Sequence, residues 1–343
     1  MKRSPLLPLL PLLLSAAVAM ICTVRPALAV DYPAPDNMSS IIAAAKKEGS
    51  LTLYTSLAAG DSAPVVKRFE DKYGIKVIIW RGSADNVLQR VVTEANAKTY
   101  KVDVAHIQTD NMEALSREKL LLPVDSPTFK DLVPGAVQKQ HEWAMAQITL
   151  YVLAYNTHLI KKADLPRNYQ DLLDPKWKGK LGIESSDSSW LEMTSEHLGG
   201  DAGVQLFRAI KAKNGFSVRT GHSLLANLVA AGEVPMALNV YQYKAIQLKR
   251  DGAPLDWLAL EPALASTNAI GIFRHAVHPN AARLFYEFML TEGQEVMASV
   301  DDVPSNTKVA SPLNKQKITF IDPGAALDNR AKWEDRFNDV VNK

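Results

Sequence analysis

Between Leu51 and Ile107 short β-rich runs alternate with longer helical periods, and nothing else in this 343-residue chain restricts its fold as strongly. Leu51–Thr55 reads as a strand, Pro64–Tyr73 as a helix with Val65, Val66 and Phe69 inward, and Ile75–Trp80 as a second strand. A helix over Ala84–Ala97, with Val87, Leu88, Val91 and Val92 on one face, and a strand over Val102–Ile107 complete a βαβαβ rhythm. That rhythm predicts a parallel sheet covered by helices.

The rhythm resumes after an irregular middle. Lys180–Ile183, Phe216–Val218, Val234–Val240 and Leu255–Leu258 are strand candidates, separated by helices over Leu191–Leu198, Ala202–Ala212, Ser223–Ala231 and Gln242–Arg250. Two α/β domains follow, and Leu150–Tyr155 and Ala269–Phe273, the apolar segments bracketing the second set, are the natural crossings between them. Two crossings make a hinge. Pro279 suits the first turn of a helix carrying Ala282, Leu284, Phe285, Phe288 and Met289 at helical spacing. A last helix, about Ala325–Val341, groups Leu327, Ala331, Glu334 and Phe337 near one face and is expected to dock on one of the lobes.

The first 29 residues have a separate logic. Lys2 and Arg3, an apolar stretch from Leu6 to Ile21 and the small-residue end Ala27-Leu28-Ala29 form a secretory signal peptide, with cleavage expected after Ala29. Retention as an anchor is the main alternative, opposed by Pro5, Pro8 and Pro11, which shorten the apolar run below the roughly 20 residues of a membrane span. Ile21 before Cys22 is too large for a lipidation signal. Removing Lys2, Arg3 and Arg25 leaves 36 basic residues against 37 acidic ones, and the formal charge moves from +2 to −1. A near-neutral chain without a basic stretch lacks the electrostatic footprint of a nucleic-acid binder. With Cys22 lost, the mature chain has no cysteine, which excludes disulfides, cysteine metal sites and cysteine nucleophiles.

Specific residues then resemble a known family. The run Tyr169-Gln170-Asp171-Leu172-Leu173-Asp174-Pro175-Lys176-Trp177-Lys178-Gly179-Lys180-Leu181-Gly182-Ile183 is similar to the signature of ferric-binding-type periplasmic solute-binding proteins of ABC transporters. Leu53–Ser56, Arg90–Glu94, Val102–Val104, Tyr155-Asn156, Leu228–Pro235, Gly252–Trp257 and Ala276–Ala282 add matches in the family's order. Many of them have sufficient structural readings: Leu172–Pro175 as a helix end and turn, Trp177 as a core ring, Gly179 as a turn. The resemblance implies an α/β, two-lobed periplasmic-binding-protein fold (type II), two α/β domains joined by a two-strand hinge. It places lobe 1 at residues 30–149 and 268–310, lobe 2 at 150–267, and a C-terminal helical segment, 311–343, on the lobes. It further implies a monomeric periplasmic receptor that hands a small solute to an inner-membrane ABC permease with its ATPase.

In open α/β sheets ligands bind beyond the carboxyl ends of the strands. That rule selects Thr55 and Ser56, Arg81-Gly82-Ser83 and Gln108-Thr109-Asp110 in the first lobe. In the second it selects Ser185–Trp190, Thr220–Ser223, Tyr241 and Tyr243. Arg81-Gly82-Ser83 offers a guanidinium fork, backbone donors and a hydroxyl at a helix start, and the segments around Ser186, Ser188, Thr220 and His222 repeat this in the other lobe. The chemistry leans toward a small organic anion bearing a phosphate, phosphonate or carboxylate. N-capping is the competing reading of each hydroxyl. Arg81 and Ser83 are expected to hold the ligand on the first lobe, and Arg81→Ala to weaken it by on the order of 1–3 kcal/mol.

Ferric iron as the transported ligand is the alternative the resemblance supplies, since ferric relatives use neighbouring tyrosines after the strand that here ends near Val240. The matching stretch is Asn239-Val240-Tyr241-Gln242-Tyr243, in which Gln242 breaks the pair, and Tyr241 and Tyr243 should diverge if Gln242 opens a helix. Thr55-Ser56-Leu57 supplies no histidine or carboxylate, and His106 and His222 more naturally hydrogen-bond neighbours. Tyr241, Tyr243 and Trp190 read either as rings packing on an organic ligand or as core. An exported hydrolase is the rival class; the chain has no G-x-S-x-G, no H-E-x-x-H and no metal-ligand spacing among its seven histidines, and no enzymatic activity or cofactor is expected. A module serving a membrane sensor would share the fold.

Overall fold

The computed structural model describes residues 38–311 and 317–343; the expected signal peptide, its cleavage site, the anchor alternative and Cys22 lie outside them. After α1 (Met38–Glu48), the βαβαβ rhythm appears as β1 (Ser50–Thr55), α2 (Ala59–Tyr73), β2 (Lys76–Arg81), α3 (Ala84–Asn96) and β3 (Val104–Gln108), followed by α4 (Thr109–Arg117). β1 pairs in parallel with both β2 and β3. Helix α2 begins earlier than expected, at Ala59, with Pro64 inside it. The proline forfeits only one N–H, and the first turn closes instead through Asp61 and Ser62 N–H on the Ala58 carbonyl. At the other end Gly74 takes a left-handed conformation (φ 69°) and its N–H closes on Glu70.

The chain then crosses in β4 (Ala144–Asn156), buried along its whole length. The second lobe comprises β5 (Leu181–Glu184), α5 (Ser188–His197), α6 (Asp201–Asn214), β6 (Ser217–Arg219), α7 (His222–Ala231), β7 (Met236–Tyr241), α8 (Gln242–Arg250) and β8 (Leu255–Leu258). The return is β9 (Ala263–Ile272), leading to α9 (Pro279–Leu290), α10 (Glu292–Ser299), β10 (Ile318–Thr319) and α11 (Pro323–Phe337), which runs on into a π turn over Asn338–Asn342. The sheet order is β2-β1-β3-β9-β4-β7-β5-β6, with β10 on β9 and β8 on β4.

The sheet is mixed rather than parallel. β9 runs antiparallel to β3 and β4, and β4 antiparallel to β7, because the two crossing strands travel in opposite directions between the lobes. The crossing also lies between the expected segments. Tyr151–Asn156 already pairs with β7 and β8 in the second lobe, and Ala269–Ile272 with β3 in the first. The strands pass from lobe to lobe where Gln147, Ile148 and Thr149 face Asn268, Thr267 and Ser266.

Each lobe has its own core. In the first, Phe69 of α2 meets Phe285 and Phe288 of α9 edge-on, at 5.0 and 5.3 Å between ring centres, fastening α9 to the lobe. In the second, Trp190, Tyr169 and Phe207 pack together.

Helix α11 departs from its expected face and partner. Ala331 and Glu334 are exposed; Ala326, Trp333 and Phe337 are buried, followed by Val340 and Val341. Trp333 outweighs the smaller residues in choosing which face is covered. The helix docks on both lobes. Trp333, Phe337, Val340 and Val341 join the second core, while Arg330 reaches Asp85 at 3.0 Å and Asp110 at 2.7 Å on the first lobe, where Arg117 also pairs with Asp328.

Candidate functional site

Where the strands cross, a cavity of about 200 Å³ opens between the lobes. Its floor is the crossing itself: Gln147 and Thr149 project from β4, and their register partners Asn268 and Ser266 from β9. Alternation along a strand sends residues two apart to one face, so these four side chains share a side. Ser56, Leu57, Ala58 and Gln108 supply the first-lobe wall, and Tyr241 and Tyr243 the second.

Three helices start on this cavity. The residues preceding α2, α4 and α8 are Ala58, Gln108 and Tyr241; all three line it, and none caps its helix with its side chain. Uncapped first-turn N–H groups and the positive helix ends therefore face one small space, which suits an anion. Each of the two acidic residues in the first turns of α2 and α4 is already paired, Asp61 with Lys244 at 3.4 Å and Asp110 with Arg330.

The two tyrosines do not diverge. Tyr241 is still extended (φ −73°, ψ 129°), so the helical spacing rule does not govern the pair, and its ring stacks on that of Tyr243 at 6.0 Å and 19°. Gln242, fully buried, turns the opposite way: its Oε1 accepts from Leu150 N at 2.8 Å and its Nε2 donates to the Asp301 carbonyl at 2.6 Å. The glutamine that breaks the tyrosine pair in sequence thus pins the start of α8 to the crossing strand.

His222 supports this wall from behind. Its ring lies against Tyr241, and its Nδ1 is 2.8 Å from the Asn239 carbonyl. Asp187, buried, accepts from Tyr151 Oη at 3.0 Å and Asn239 Nδ2 at 3.1 Å. Burial pushes the Asp187 carboxyl upward, as it does the phenols of Tyr241 and Tyr243, to which Asp187 and Asp61 respectively add. Both phenols stay protonated at neutral pH. Next to the lining, burial lifts the Asp302 carboxyl to about 7, against the opposing hydrogen bonds of Gln147 and Thr149.

Several expected ligand residues are engaged elsewhere. Thr55 is fully buried, donates to the His106 carbonyl at 2.9 Å and accepts from Leu57 N at 3.1 Å, so it shapes the loop that carries Ser56. Ser83 caps α3, accepting from Asn86 N, and is exposed. Gly82 answers packing: a Cβ there would stand 2.9 Å from the Trp80 ring. Arg81 is exposed and its Nε donates to the Leu57 carbonyl at 2.6 Å; among the described residues no carboxylate pairs with it.

In the second lobe an internal carboxylate takes the expected anion position. Glu184 accepts from Ser186 N at 2.7 Å, Gly221 N at 2.9 Å and Ser186 Oγ at 3.0 Å. Glu184 thus engages the donors just ahead of α5 and α7, with Ser185 Oγ donating to an exposed Thr220. Ser188 opens α5 behind this arrangement. Trp190 is a core ring with no exposure, 5.1 Å from Phe207. His106 also differs from expectation: it is buried, both ring nitrogens lack partners among the described residues, and burial holds its pKa down at about 4.

A cleft floored by two crossing strands and walled by two α/β lobes defines a hinge-type solute receptor. Residues 54–296 match the family described as bacterial extracellular solute-binding protein, and the chain belongs to it. It is 23% identical over 290 residues to an Fe(3+)-binding periplasmic protein of Serratia marcescens, covering 81% of this chain and 85% of that one. It is 25% identical over 312 residues to a putative 2-aminoethylphosphonate-binding periplasmic protein of Salmonella typhimurium, covering 86% and 89%. The periplasmic binding protein AfuA from Actinobacillus pleuropneumoniae, solved with exogenous fructose-6-phosphate, superposes with a TM-score of 0.72 at 22% identity, covering 86% and 99%.

Proposed function

We propose that this chain works in the periplasm, captures a small organic anion carrying a phosphonate, phosphate or carboxylate group between its lobes, and delivers it to an ABC permease without chemical change. The observation that carries the reading is the convergence of three uncapped helix starts, at Ala58, Gln108 and Tyr241, on one cavity. The remaining lining is amide, hydroxyl and phenol, suited to orienting an organic group. The relatives named for 2-aminoethylphosphonate, and the structure holding fructose-6-phosphate, support this chemistry.

Binding energy becomes motion because α2 and α4 belong to one lobe and α8 to the other. A ligand that touches both favours the closed arrangement by its differential affinity, and closure is what a permease recognises. Arg81 supports the first-lobe wall through the Leu57 carbonyl rather than as a direct fork.

Ferric iron is the second reading, favoured by Tyr241 and Tyr243 sharing one wall and by the relative named for Fe(3+). Its fit is poorer. The phenols are pushed away from the tyrosinate form, and among the described residues no group of three or more His, Cys, Asp or Glu is placed to hold a metal.

A thermal-shift screen of the ligand-stripped chain from Val30 against phosphonates, phosphate monoesters, carboxylates and ferric citrate decides between them. A ligand at 100 times its Kd adds roughly 2.7 kcal/mol. A shift with an organic anion supports the proposal, and a shift with iron alone overturns it.

A further inference from the structure

Asp302, buried next to the cavity lining, accepts from Gln147 Nε2 at 3.0 Å and from Thr149 Oγ1 at 3.3 Å. With its nitrogen engaged there, the planar amide of Gln147 turns its oxygen along the other branch. That Oε1 is buried and has no partner among the described residues, although Gln147, only 4% exposed, lines the cavity. A buried amide oxygen without a donor costs free energy, and native folds leave few of them. The carboxyl groups nearby point the same way. Asp61 and Asp302 are both buried at this end of the cavity, and Lys244, paired with Asp61, is the one cation in ion-pair contact with them among the described residues.

We infer that Gln147 reads a hydrogen-bond donor on the solute, an amino or hydroxyl group a few atoms from the anionic head, so that the captured molecule is bifunctional. The inference rests on the anion reading proposed above and adds to it. The head occupies the helix starts, while Gln147 Oε1 receives the donor and Asp302 holds the amide in the orientation that makes this selection.

The test is calorimetric titration of the ligand-stripped chain with matched pairs in which the donor is replaced by a methyl group. The pairs are 2-aminoethylphosphonate with propylphosphonate, 2-aminoethyl phosphate with propyl phosphate, and 3-aminopropanoate with butanoate. 2-Hydroxyethylphosphonate separates a hydroxyl preference from an amino one. Within the class that binds, the donor-bearing member should be tighter by about tenfold or more. Gln147→Leu and Gln147→Met should bring the two members of the pair to within about threefold of each other. Equal affinities within the pair for the unaltered chain overturn the inference without needing either variant to fold. A preference that survives in both variants overturns it as well. Failure of every probe to bind is a distinct result that removes the anion reading, and the inference with it.

Discussion

The imidazole of His222 stacks on the ring of Tyr241, 3.8 Å between centres and 27° between planes, so one side of the ligand wall is braced by a residue that does not itself line the cavity. Because the Nδ1 of His222 is tied to Asn239 on β7, the brace belongs to the same strand that ends in Tyr241. His222→Ala is expected to loosen Tyr241 and weaken binding by about 1 kcal/mol, the scale of an aromatic pair. Calorimetry with the best ligand from the screen checks this; unchanged affinity would mean the stack is incidental.

Glu184 is predicted to be a stability residue. Glu184→Gln removes a charged acceptor from donors at the starts of α5 and α7, where hydrogen bonds to an ionised group are worth about 1.5–3 kcal/mol. Urea denaturation should show a loss of that order. Ser186→Ala and Thr220→Ala, by contrast, should leave ligand affinity within about twofold, because both hydroxyls serve the internal arrangement.

Asp302 makes stability depend on pH in a defined direction. Its carboxyl is raised from an ordinary 3.8 to about 7, so between those values the folded chain keeps a proton that the unfolded chain has released. Folding is therefore disfavoured progressively as pH rises from about 4 to about 7, and the penalty is constant above that. Asp302→Asn should flatten this decline by on the order of a few kcal/mol in denaturation curves taken at pH 5 and pH 8. An unchanged slope would show that Asp302 ionises freely in the fold.

Arg330 fastens α11 to the first lobe through Asp85, Asp110 and Asn111. Arg330→Ala should lower stability by about 1–3 kcal/mol and accelerate amide exchange in α11. Trp333→Ala, which empties a site in the second core, should cost about 3–5 kcal/mol. If the two losses were equal and insensitive to salt, the first-lobe contacts would not be electrostatic.

The strands and helices were legible because their apolar periods are strong. Val87 and Val91 are buried on α3 as the spacing indicates, and β8 begins and ends where its apolar run does. The site was legible only at its edges. Ser56, Gln108, Tyr241 and Tyr243 follow from the rule that ligands gather beyond strand ends, but Gln147, Thr149, Ser266 and Asn268 sit within strands. A polar residue in an apolar strand is the signal that could have found them: Gln147 and Thr149 interrupt the apolar run Ala144–Leu153. The segments around Ser83, Ser186 and Thr220 carry the composition of an anion site, yet Ser83 is spent as a cap and the Ser186 and Gly221 N–H groups donate to the carboxylate of Glu184. Composition cannot report whether a donor is already spent; that depends on a residue brought in by the fold.

Helix α11 has a consequence for how the molecule can move. Two neighbouring strands define a line about which the lobes bend, but they leave torsion along the strands' own direction almost free. α11 is fixed to α3 and α4 by Arg330 and to the opposite core by Trp333. With β4 and β9 it makes a third tie between the lobes, one that a twist of one lobe against the other would strain. For the proposed receptor this predicts that occupancy is signalled chiefly by the gap between the lobes.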